Sequence, residues 1–434
     1  GSNTISDNEI SGAGTGIQLD GSADNTIDGN DLHDNGSTAK SSAPNASILV
    51  EDVGGAYQPT NNVISNNTIE RSANHGISIR TSDNTIEGNT IADSGTGYSA
   101  GKESSGIELV ANADYANQNL ISGNTISGSA FAGIKLGYGA DSNTIADNTI
   151  EGTLHGGADG STDAGGGGTA ILLTAYGADG TTITGNTLGP NTGYGILQEY
   201  ADAGGVNSAH QNTIAGNTLG GVRNLDSTDF DATQNWWGDP SGPSGVGPGT
   251  GDSVSDGGNG GVVLYDPWLT AAPVAPSLDG AGYVDGGVSL SFTAPSVPAG
   301  STITSYDYEI STDGGTNVSG QFNTGSYVGE FGDTATGSPF TDPNGPGVCG
   351  QNTACSYRIR AEIGGDTWQT PWSGWVTVAP SFTAPSLDGA GYVDGGVSLS
   401  FTAPSVPAGS TITSYDYEIS TDGGTNVSGQ FNTG

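Results

Sequence analysis

Isoleucine and leucine recur in a short, regular pattern along the N-terminal part of the chain. The block Asn-x-Ile-x-x-Asn-x-Ile/Leu first appears at Asn3-Thr4-Ile5 with Asn8-Glu9-Ile10. A second apolar segment follows most blocks, as in Gly76-Ile77-Ser78-Ile79. Alternation of apolar and polar residues over such short segments predicts β-strands. The block returns at Asn25, Asn62, Asn84, Asn119, Asn143 and Asn212, and a variant begins at Thr181.

Three short strands in each repeat, none able to bury a face alone, predict a coil of stacked parallel strands. Successive rungs of such a coil lie about 4.8 Å apart. We expect the Ile and Leu side chains to point inward and form aliphatic columns. The Asn residues at the bends can form hydrogen-bonded ladders and tolerate left-handed backbone. Repeats longer than the shortest ones predict loops inserted at the corners.

A tryptophan-rich run closes the repeats, from Asn235-Trp236-Trp237-Gly238 to Pro267-Trp268-Leu269. With this cap, residues 1–269 resemble the parallel β-helix repeats of the NosD-like and pectate-lyase-like superfamily. The cap resembles the last rungs of β-helix surface proteins from bacteria and archaea. The resemblance implies a right-handed parallel β-helix in an all-β protein. It leaves function open, because the superfamily includes lyases, hydrolases, epimerases, adhesins and tailspikes.

A longer repeat follows, in which Ala275–Gly325 recurs as Ala384–Gly434. The strand Tyr357-Arg358-Ile359-Arg360-Ala361 resembles the tyrosine-bearing strand of fibronectin type III modules. This resemblance implies a β-sandwich over residues 270–380 and the first half of a second, near-identical module over 381–434. An immunoglobulin-like relative is the alternative. Tandem copies of this kind usually act as spacers.

The charge balance excludes several partners. Lys and Arg total 8 against 46 acidic residues, for a formal net charge of −38. Such a field repels phosphate backbones and anionic membrane surfaces, so we expect no nucleic-acid partner. No apolar run is long enough to cross a bilayer. The sequence begins inside a repeat and stops inside a module, so we expect it to be a fragment.

The two cysteines, Cys349 and Cys355, lie close together in one loop-like stretch. A close pair in an acidic chain poor in lysine predicts a disulfide formed in an oxidising compartment. We therefore expect the protein to be extracellular or displayed on a cell surface.

Catalytic candidates come from the outward positions of the second apolar segment. These positions should stack as Gln18, Leu49, Ser78, Glu108, Lys135 and Leu172. A polysaccharide lyase needs a base and a cation or Ca²⁺ to hold a uronate, and Lys135, Glu108 and Arg80 come nearest to such a set. The alternative, which we favour, is a solvated ion pair between Glu108 and Lys135 of neighbouring rungs.

His75 lies in Asn74-His75-Gly76, which resembles a rung of NosD-like proteins and mannuronan epimerases. The Asp-Pro-His-Glu motif of the epimerases is absent from this chain. We therefore favour the alternative that His75 is a corner residue hydrogen-bonded to the backbone.

Aromatic and acidic residues occur together in the predicted loops, an arrangement suited to sugar rings. Packing of the loops on the coil is the alternative, nearly as well supported. Acidic turns at Asp159 and Asp163 are candidate Ca²⁺ ligands, although most such turns are simply solvated. The sequence predicts no other cofactor. The candidate ligand-binding residues are Tyr57, Tyr115, Tyr138, Tyr176, Tyr200, Glu51, Asp114 and Glu199.

Two functional hypotheses follow. The first is a non-enzymatic cell-surface protein, with a stalk- or filament-forming β-helix and spacer modules, whose partners are polysaccharide or neighbouring copies of itself. The second is a secreted polysaccharide lyase or hydrolase with appended modules. The near-identical spacer copies and the scarcity of catalytic cations favour the first.

Overall fold

The chain divides into two compact units, one covering Gly1–Val274 and the other most residues from Ala275 onward. All regular structure within the described ranges is β-strand, and no helix there has the length and hydropathy to cross a bilayer. The computed structural model describes residues 2–36, 46–52, 59–95, 104–111, 116–154, 167–174, 178–199, 205–284, 287–297, 302–312, 314–315, 320–322, 338–342, 354–363, 368–378, 385–394, 396–404, 412–421 and 427–432.

The first unit is a parallel β-helix built from three sheets. A typical rung contributes one strand to each of the three sheets. The first sheet contains Thr4–Ser6, Thr26–Asp28, Val63–Ser65, Thr85–Glu87, Leu120–Ser122, Thr144–Ala146, Thr182–Thr184, Ser208–His210, Phe230–Asp231 and Val263–Leu264. The second contains Glu9–Ser11, Asp31–His33, Thr68–Glu70, Thr90–Ala92, Thr125–Ser127, Thr149–Glu151, Thr187–Leu188 and Thr213–Ile214. The third contains Ile17–Asp20, Ala46–Glu51, His75–Ile79, Ser105–Leu109, Ala132–Leu136, Thr169–Leu173, Tyr194–Gln198, Gly220–Asn224, Gly251–Asp256 and Pro243–Gly245.

Aliphatic side chains form continuous columns inside the coil, as the repeats predict. In the first sheet Ile64 lies beside Ile86, which lies beside Ile121 on the next rung. In the third sheet Ile77 and Ile107 stack in the same way. All five side chains are fully buried. Burial of one such side chain contributes about 1.5–3 kcal/mol, so the columns supply most of the driving force for the fold. The predicted all-β, parallel β-helix architecture is confirmed.

Asparagine ladders satisfy the backbone at the bends. At the bend before the second sheet, Nδ2 of Asn89 donates to Oδ1 of Asn124 at 2.9 Å and to the carbonyl of Ile64. The same pattern runs unbroken from Asn8 to Asn235. The ladder before the first sheet is interrupted at Thr181, where the buried atoms Asn143 Nδ2 and Thr181 Oγ1 have no hydrogen-bond partner among the described residues. The side chain of Thr181 is too short to continue the ladder.

The C-terminal cap closes the coil with an aromatic side chain and a carboxylate. Trp237 is fully buried at the end of the aliphatic core. Asp252 accepts hydrogen bonds from the backbone N–H of Gly216 and from both nitrogens of Asn217. A carboxylate has no N–H with which to continue such a row, so Asp252 ends a third row of hydrogen-bonded side chains, in which Nδ2 of Asn191 donates to Oδ1 of Asn217.

The second unit consists of small antiparallel sheets. Their apolar faces bury Tyr308, Ile310, Tyr357 and Ile359. The assignment of this unit to fibronectin type III modules remains a prediction. One sheet contains Ser277–Val284, Gly287–Thr293 and Phe340–Asp342, and another contains Gly320–Phe322, Ile303–Ser311, Cys355–Ile363, Trp368–Gln369 and Val376–Val378. Two hairpins follow, Ser386–Val393 with Gly396–Thr402 and Asp416–Ile419 with Gly429–Asn432.

Candidate functional site

The outward positions of the third sheet stack in the order that the repeats predict. Ser78 lies beside Glu108, and Glu108 lies beside Lys135, on three successive strands. Side chains alternate along a strand, so these residues point away from the column that contains Ile107. The same row includes Gln18, Leu49 and Leu172.

Glu108 is surrounded by hydrogen-bond donors. Its Oε1 lies 3.4 Å from Nζ of Lys135, and its Oε2 lies 3.3 Å from Nε2 of His75. The hydroxyl of Ser78 donates to the same Oε2 at 3.4 Å. The side chains of Glu108 and Lys135 are only 8% and 12% exposed. A carboxylate this far from water requires such partners, because an uncompensated buried charge costs several kcal/mol.

His75 is held at both ring nitrogens. Its Nδ1 accepts a hydrogen bond from the backbone N–H of Ser105 at 3.2 Å. The proton of the neutral ring therefore belongs on Nε2, which faces Glu108. The next residue is glycine, and a Cβ at Gly76 would lie 2.7 Å from Cγ2 of Ile91. The absence of a side chain at Gly76 lets the strand approach the aliphatic core while His75 lies on the outer side.

Arg80 and Glu51 extend the polar surface at the end of the same strands. Nε of Arg80 is buried and has no hydrogen-bond partner in the described part of the chain. Burial raises the pKa of Glu51, and this shift is opposed by the charge of Arg80 and reinforced by Asp20. Gln18 Nε2 donates to Glu51 Oε1 at 2.8 Å. The positive charge of Arg80 acts on the carboxyl groups of both Glu51 and Glu108.

The net effect on Glu108 is to favour the charged form. Burial acts to raise the pKa of Glu108, but the proximity of His75, Lys135 and Arg80 outweighs it, and the pKa lies below its usual value. Glu108 is therefore ionised at neutral pH. The four residues form one charge-compensated group, here called the Glu108 cluster: His75, Arg80, Glu108 and Lys135.

Two family models match the first unit. A model described as a right-handed β-helix region matches residues 1–150, and one described as a periplasmic copper-binding protein (NosD) matches residues 112–244. These matches agree with the three stacked parallel sheets. The first unit is a right-handed parallel β-helix.

Two solved structures resemble the β-helix protein. XylC in complex with xylose is 14% identical with a TM-score of 0.33, and the match covers 64% of this chain and 51% of that one. The Dettilon tailspike protein is 11% identical with a TM-score of 0.26, covering 82% of this chain and 73% of that one. The β-helix protein thus spans about half the length of the XylC chain. A comparison with curated proteins finds no match.

The structure brings the four catalytic candidates of the β-helix together but corrects two expectations about them. The Glu108–Lys135 pair is not solvated, because both side chains are almost completely buried. His75 is bonded to the backbone as expected, but it is also a partner of Glu108 rather than an isolated corner residue. The sequence signal was the shared register of Glu108 and Lys135 in a chain with very few cations.

The predicted ligand-binding residues are only partly described. The side chain of Tyr138 is 64% exposed and Glu199 is half-buried, whereas Glu51 is buried. Cys355 is disulfide-bonded. Tyr57, Asp114, Tyr115, Tyr176, Tyr200, the candidate Ca²⁺ ligands Asp159 and Asp163, and Cys349 lie outside the described residues.

The described residues do not fit a copper site. Copper ions favour methionine, cysteine and histidine ligands. The chain has no methionine, and both ring nitrogens of His75 are already engaged. In the parts of the chain that can be described, no three His, Cys, Asp or Glu side chains are grouped to hold a metal ion. No chemistry is therefore assigned to copper in this β-helix protein.

Proposed function

We propose that this chain is an exported structural and adhesive protein, with the β-helix as a rigid scaffold. One observation carries the proposal: in the Glu108 cluster, the residues best suited to catalysis form hydrogen bonds and ion pairs with one another. The scaffold role is supported by the continuous aliphatic columns and by the asparagine ladder that runs unbroken from Asn8 to Asn235. Ten stacked strands of the first sheet correspond to a length of about 40 Å.

The chemistry of the Glu108 cluster argues against catalysis. A general base works best with a pKa near the operating pH and with a lone pair directed at substrate. The pKa of Glu108 lies below its usual value, and both of its oxygens already accept hydrogen bonds. Lys135 is paired with Glu108, and neither ring nitrogen of His75 is free. These contacts favour a stabilising role for the cluster.

Export is supported by composition and by the family match. The disulfide at Cys355 fits an oxidising compartment. One matched family is named as periplasmic. We propose polysaccharide or neighbouring copies of the protein as partners, with the exposed ring of Tyr138 as one contact residue.

The alternative function, a polysaccharide lyase or hydrolase, is tested by an activity assay. Purified protein is incubated with a panel of neutral and uronate polysaccharides, and unsaturated uronate and reducing ends are measured. We expect no turnover by the wild-type protein. Turnover that is lost in Lys135→Met and kept in Arg71→Met, a change in an exposed ion pair, would overturn the proposal.

Adhesion is tested separately by retention on a glycan array. We expect the wild-type protein to be retained by at least one glycan and Tyr138→Ala to weaken that retention, because the exposed ring offers a flat apolar surface to a sugar.

A further inference from the structure

The second unit buries charged side chains on one side of its largest sheet. Along Ile303–Ser311, alternate residues point to the apolar core, and the others form a polar face. On that face Asp307 is paired with Arg360 and Glu309 with Arg358 across the strands, and Ser305 lies opposite Glu362. The residues Asp307, Glu309 and Glu362 are only 1%, 1% and 2% exposed.

Both guanidinium groups on this face are already committed. Arg358 Nε donates to Glu309 Oε2 at 2.5 Å, and Arg360 Nε donates to Asp307 Oδ2 at 3.1 Å. The ring of Trp372 lies against both cations: its centroid is 5.0 Å from Cζ of Arg358 and 4.5 Å from Cζ of Arg360. Among the described residues, this face therefore carries three buried carboxyl groups and two cations.

The third carboxyl group, that of Glu362, lies beside a hydroxyl group and another carboxyl group. Glu362 accepts a short hydrogen bond from the hydroxyl of Ser305, and its carboxyl group adjoins that of Asp307 on the neighbouring strand. Two adjoining buried carboxyl groups favour a state in which one of them keeps a proton, because two negative charges repel each other and the proton can form a hydrogen bond between them. Burial raises the pKa of Asp307 to about 7; the charge of Arg360 opposes this shift and Glu362 reinforces it.

We propose that Asp307 and Glu362 share one proton and make this sheet sensitive to pH. At acidic pH the shared proton makes this face electrically neutral. The carboxyl pair and Glu309 then carry one negative charge each, and the two arginines carry one positive charge each. At alkaline pH the proton leaves to solvent, and two buried carboxylates repel each other across paired strands. The strand pair Ile303–Ser311 and Cys355–Ile363 then opens more often. The inference goes beyond the proposed function and does not depend on it.

The charged groups that face the pair are few. The strand Ile303–Ser311 contributes Glu309, and the strand Cys355–Ile363 contributes Arg358 and Arg360. The segment beside them adds Trp372 and Trp375, which do not titrate. Within the described residues, the surplus negative charge therefore falls on Asp307 and Glu362.

Hydrogen–deuterium exchange of the full chain at pH 6 and pH 8 tests the inference. After correction for the intrinsic pH dependence of exchange, peptides from Ile303–Ser311 and Cys355–Ile363 should be protected at least about tenfold more at pH 6. Asp307→Asn and Glu362→Gln should each abolish the difference, because neither variant can form the shared-proton pair.

The duplicated sequence supplies a matched control. Asp416 occupies the same position in an identical stretch of 51 residues, but it is exposed. Asp416→Asn should leave the pH difference unchanged. Equal protection of the wild-type peptides at both pH values would overturn the proposal without any variant. A pH difference that persists in both Asp307→Asn and Glu362→Gln would also overturn it.

Discussion

Both units bury charged side chains on the outward side of a sheet, but the ratio of carboxyl groups to cations differs between them. In the β-helix one carboxylate, Glu108, contacts His75 and Lys135 and lies in the field of Arg80. In the second unit the described part of the largest sheet carries three buried carboxyl groups and two guanidinium groups on one face. The pKa of Glu108 is lowered, and that of Asp307 is raised to about 7. Burial is common to both, so the balance of neighbouring charges decides the direction of the shift.

Opposite shifts imply opposite responses to pH. Glu108 binds its proton less readily in the folded state, so its contribution is present above its unfolded pKa of about 4.5 and is lost as the pH falls. Asp307 binds its proton more readily in the folded state. Its contribution is present below its unfolded pKa of 3.8 and is lost as the pH rises toward about 7.

The largest expected effect comes from removing a cation that compensates Glu108. Lys135→Met leaves the buried carboxylate without its ammonium partner, and we expect the β-helix to lose roughly 3–5 kcal/mol of stability in urea unfolding. Arg71→Met is the control, because Arg71 pairs with Asp34 and Glu70 on the exposed surface. We expect little change in the control. Equal losses in the two variants would show that Glu108 does not depend on Lys135.

Replacing both partners sharpens this test. In the double variant Glu108→Leu with Lys135→Met both charges of the pair are removed together and Arg80 still lies in the field of Glu51, so most of the stability lost in Lys135→Met should return. A double variant less stable than Lys135→Met would mean that the ion pair itself, rather than the unpaired charge, carries the stability.

The comparison of the two units also assumes that the charged face of the second unit lies over a packed apolar core. Ile310 is fully buried beneath its charged face, whereas Ile419, at the same position of the identical copy, is 46% exposed. Ile310→Ala should therefore cost roughly 2–5 kcal/mol in thermal or urea unfolding of this unit. Ile419→Ala should cost far less. Similar losses would indicate that the two copies are packed alike in solution.

An acid titration distinguishes the two units by a smaller effect, the change of their thermal stability as the pH falls. As the pH falls below about 4.5, the melting temperature of the β-helix should decrease partly because Glu108 becomes protonated. Glu108→Gln should flatten this part of the curve. The protonation of Asp307 should offset the acid loss in the second unit. A wild-type β-helix whose acid response matches that of Glu108→Gln would remove Glu108 from this explanation.

The smallest expected effect concerns an uncharged group. Thr181→Asn should restore the interrupted ladder by supplying an acceptor for the orphaned Nδ2 of Asn143. The new hydrogen bond should add about 1 kcal/mol. Thr182→Asn, on the exposed neighbouring position, is the control. No gain in melting temperature from Thr181→Asn would indicate that the orphaned amide is already solvated by internal water.

The repeats predicted the part of the fold that depends on local alternation. The inward position of Ile107 and the outward position of Glu108 follow from the period of a strand, and the register of Glu108 with Lys135 follows from aligned blocks. Burial of the outward row could not be predicted in this way, because exposure depends on residues distant in sequence. Ile310 and Ile419 lie in identical segments but differ in burial, because Ile303–Ser311 pairs with Cys355–Ile363 whereas Asp416–Ile419 pairs with Gly429–Asn432 alone among the described strands.

The sequence predicts neighbours in the candidate site but not their surroundings. The register of the repeats predicts that Glu108 and Lys135 are adjacent, and the resemblance of Asn74-His75-Gly76 to a NosD-like rung makes His75 a candidate. The hydrogen bond from Ser105 to His75 depends instead on backbone geometry at Gly76. A pattern of residue types also cannot show whether a carboxylate is directed at a substrate or at its neighbours. That distinction separates the catalytic hypothesis from the structural one.

Measuring the pKa of Glu108 is the most direct test of whether the residues of the Glu108 cluster bind one another rather than a substrate. It can be measured by ¹³C NMR titration of glutamate-labelled protein, with Glu108→Gln used to assign the resonance. We predict that Glu108 titrates below the usual range for glutamate. Titration near neutral pH, as expected for a general acid or base, would contradict the proposal that the Glu108 cluster is structural.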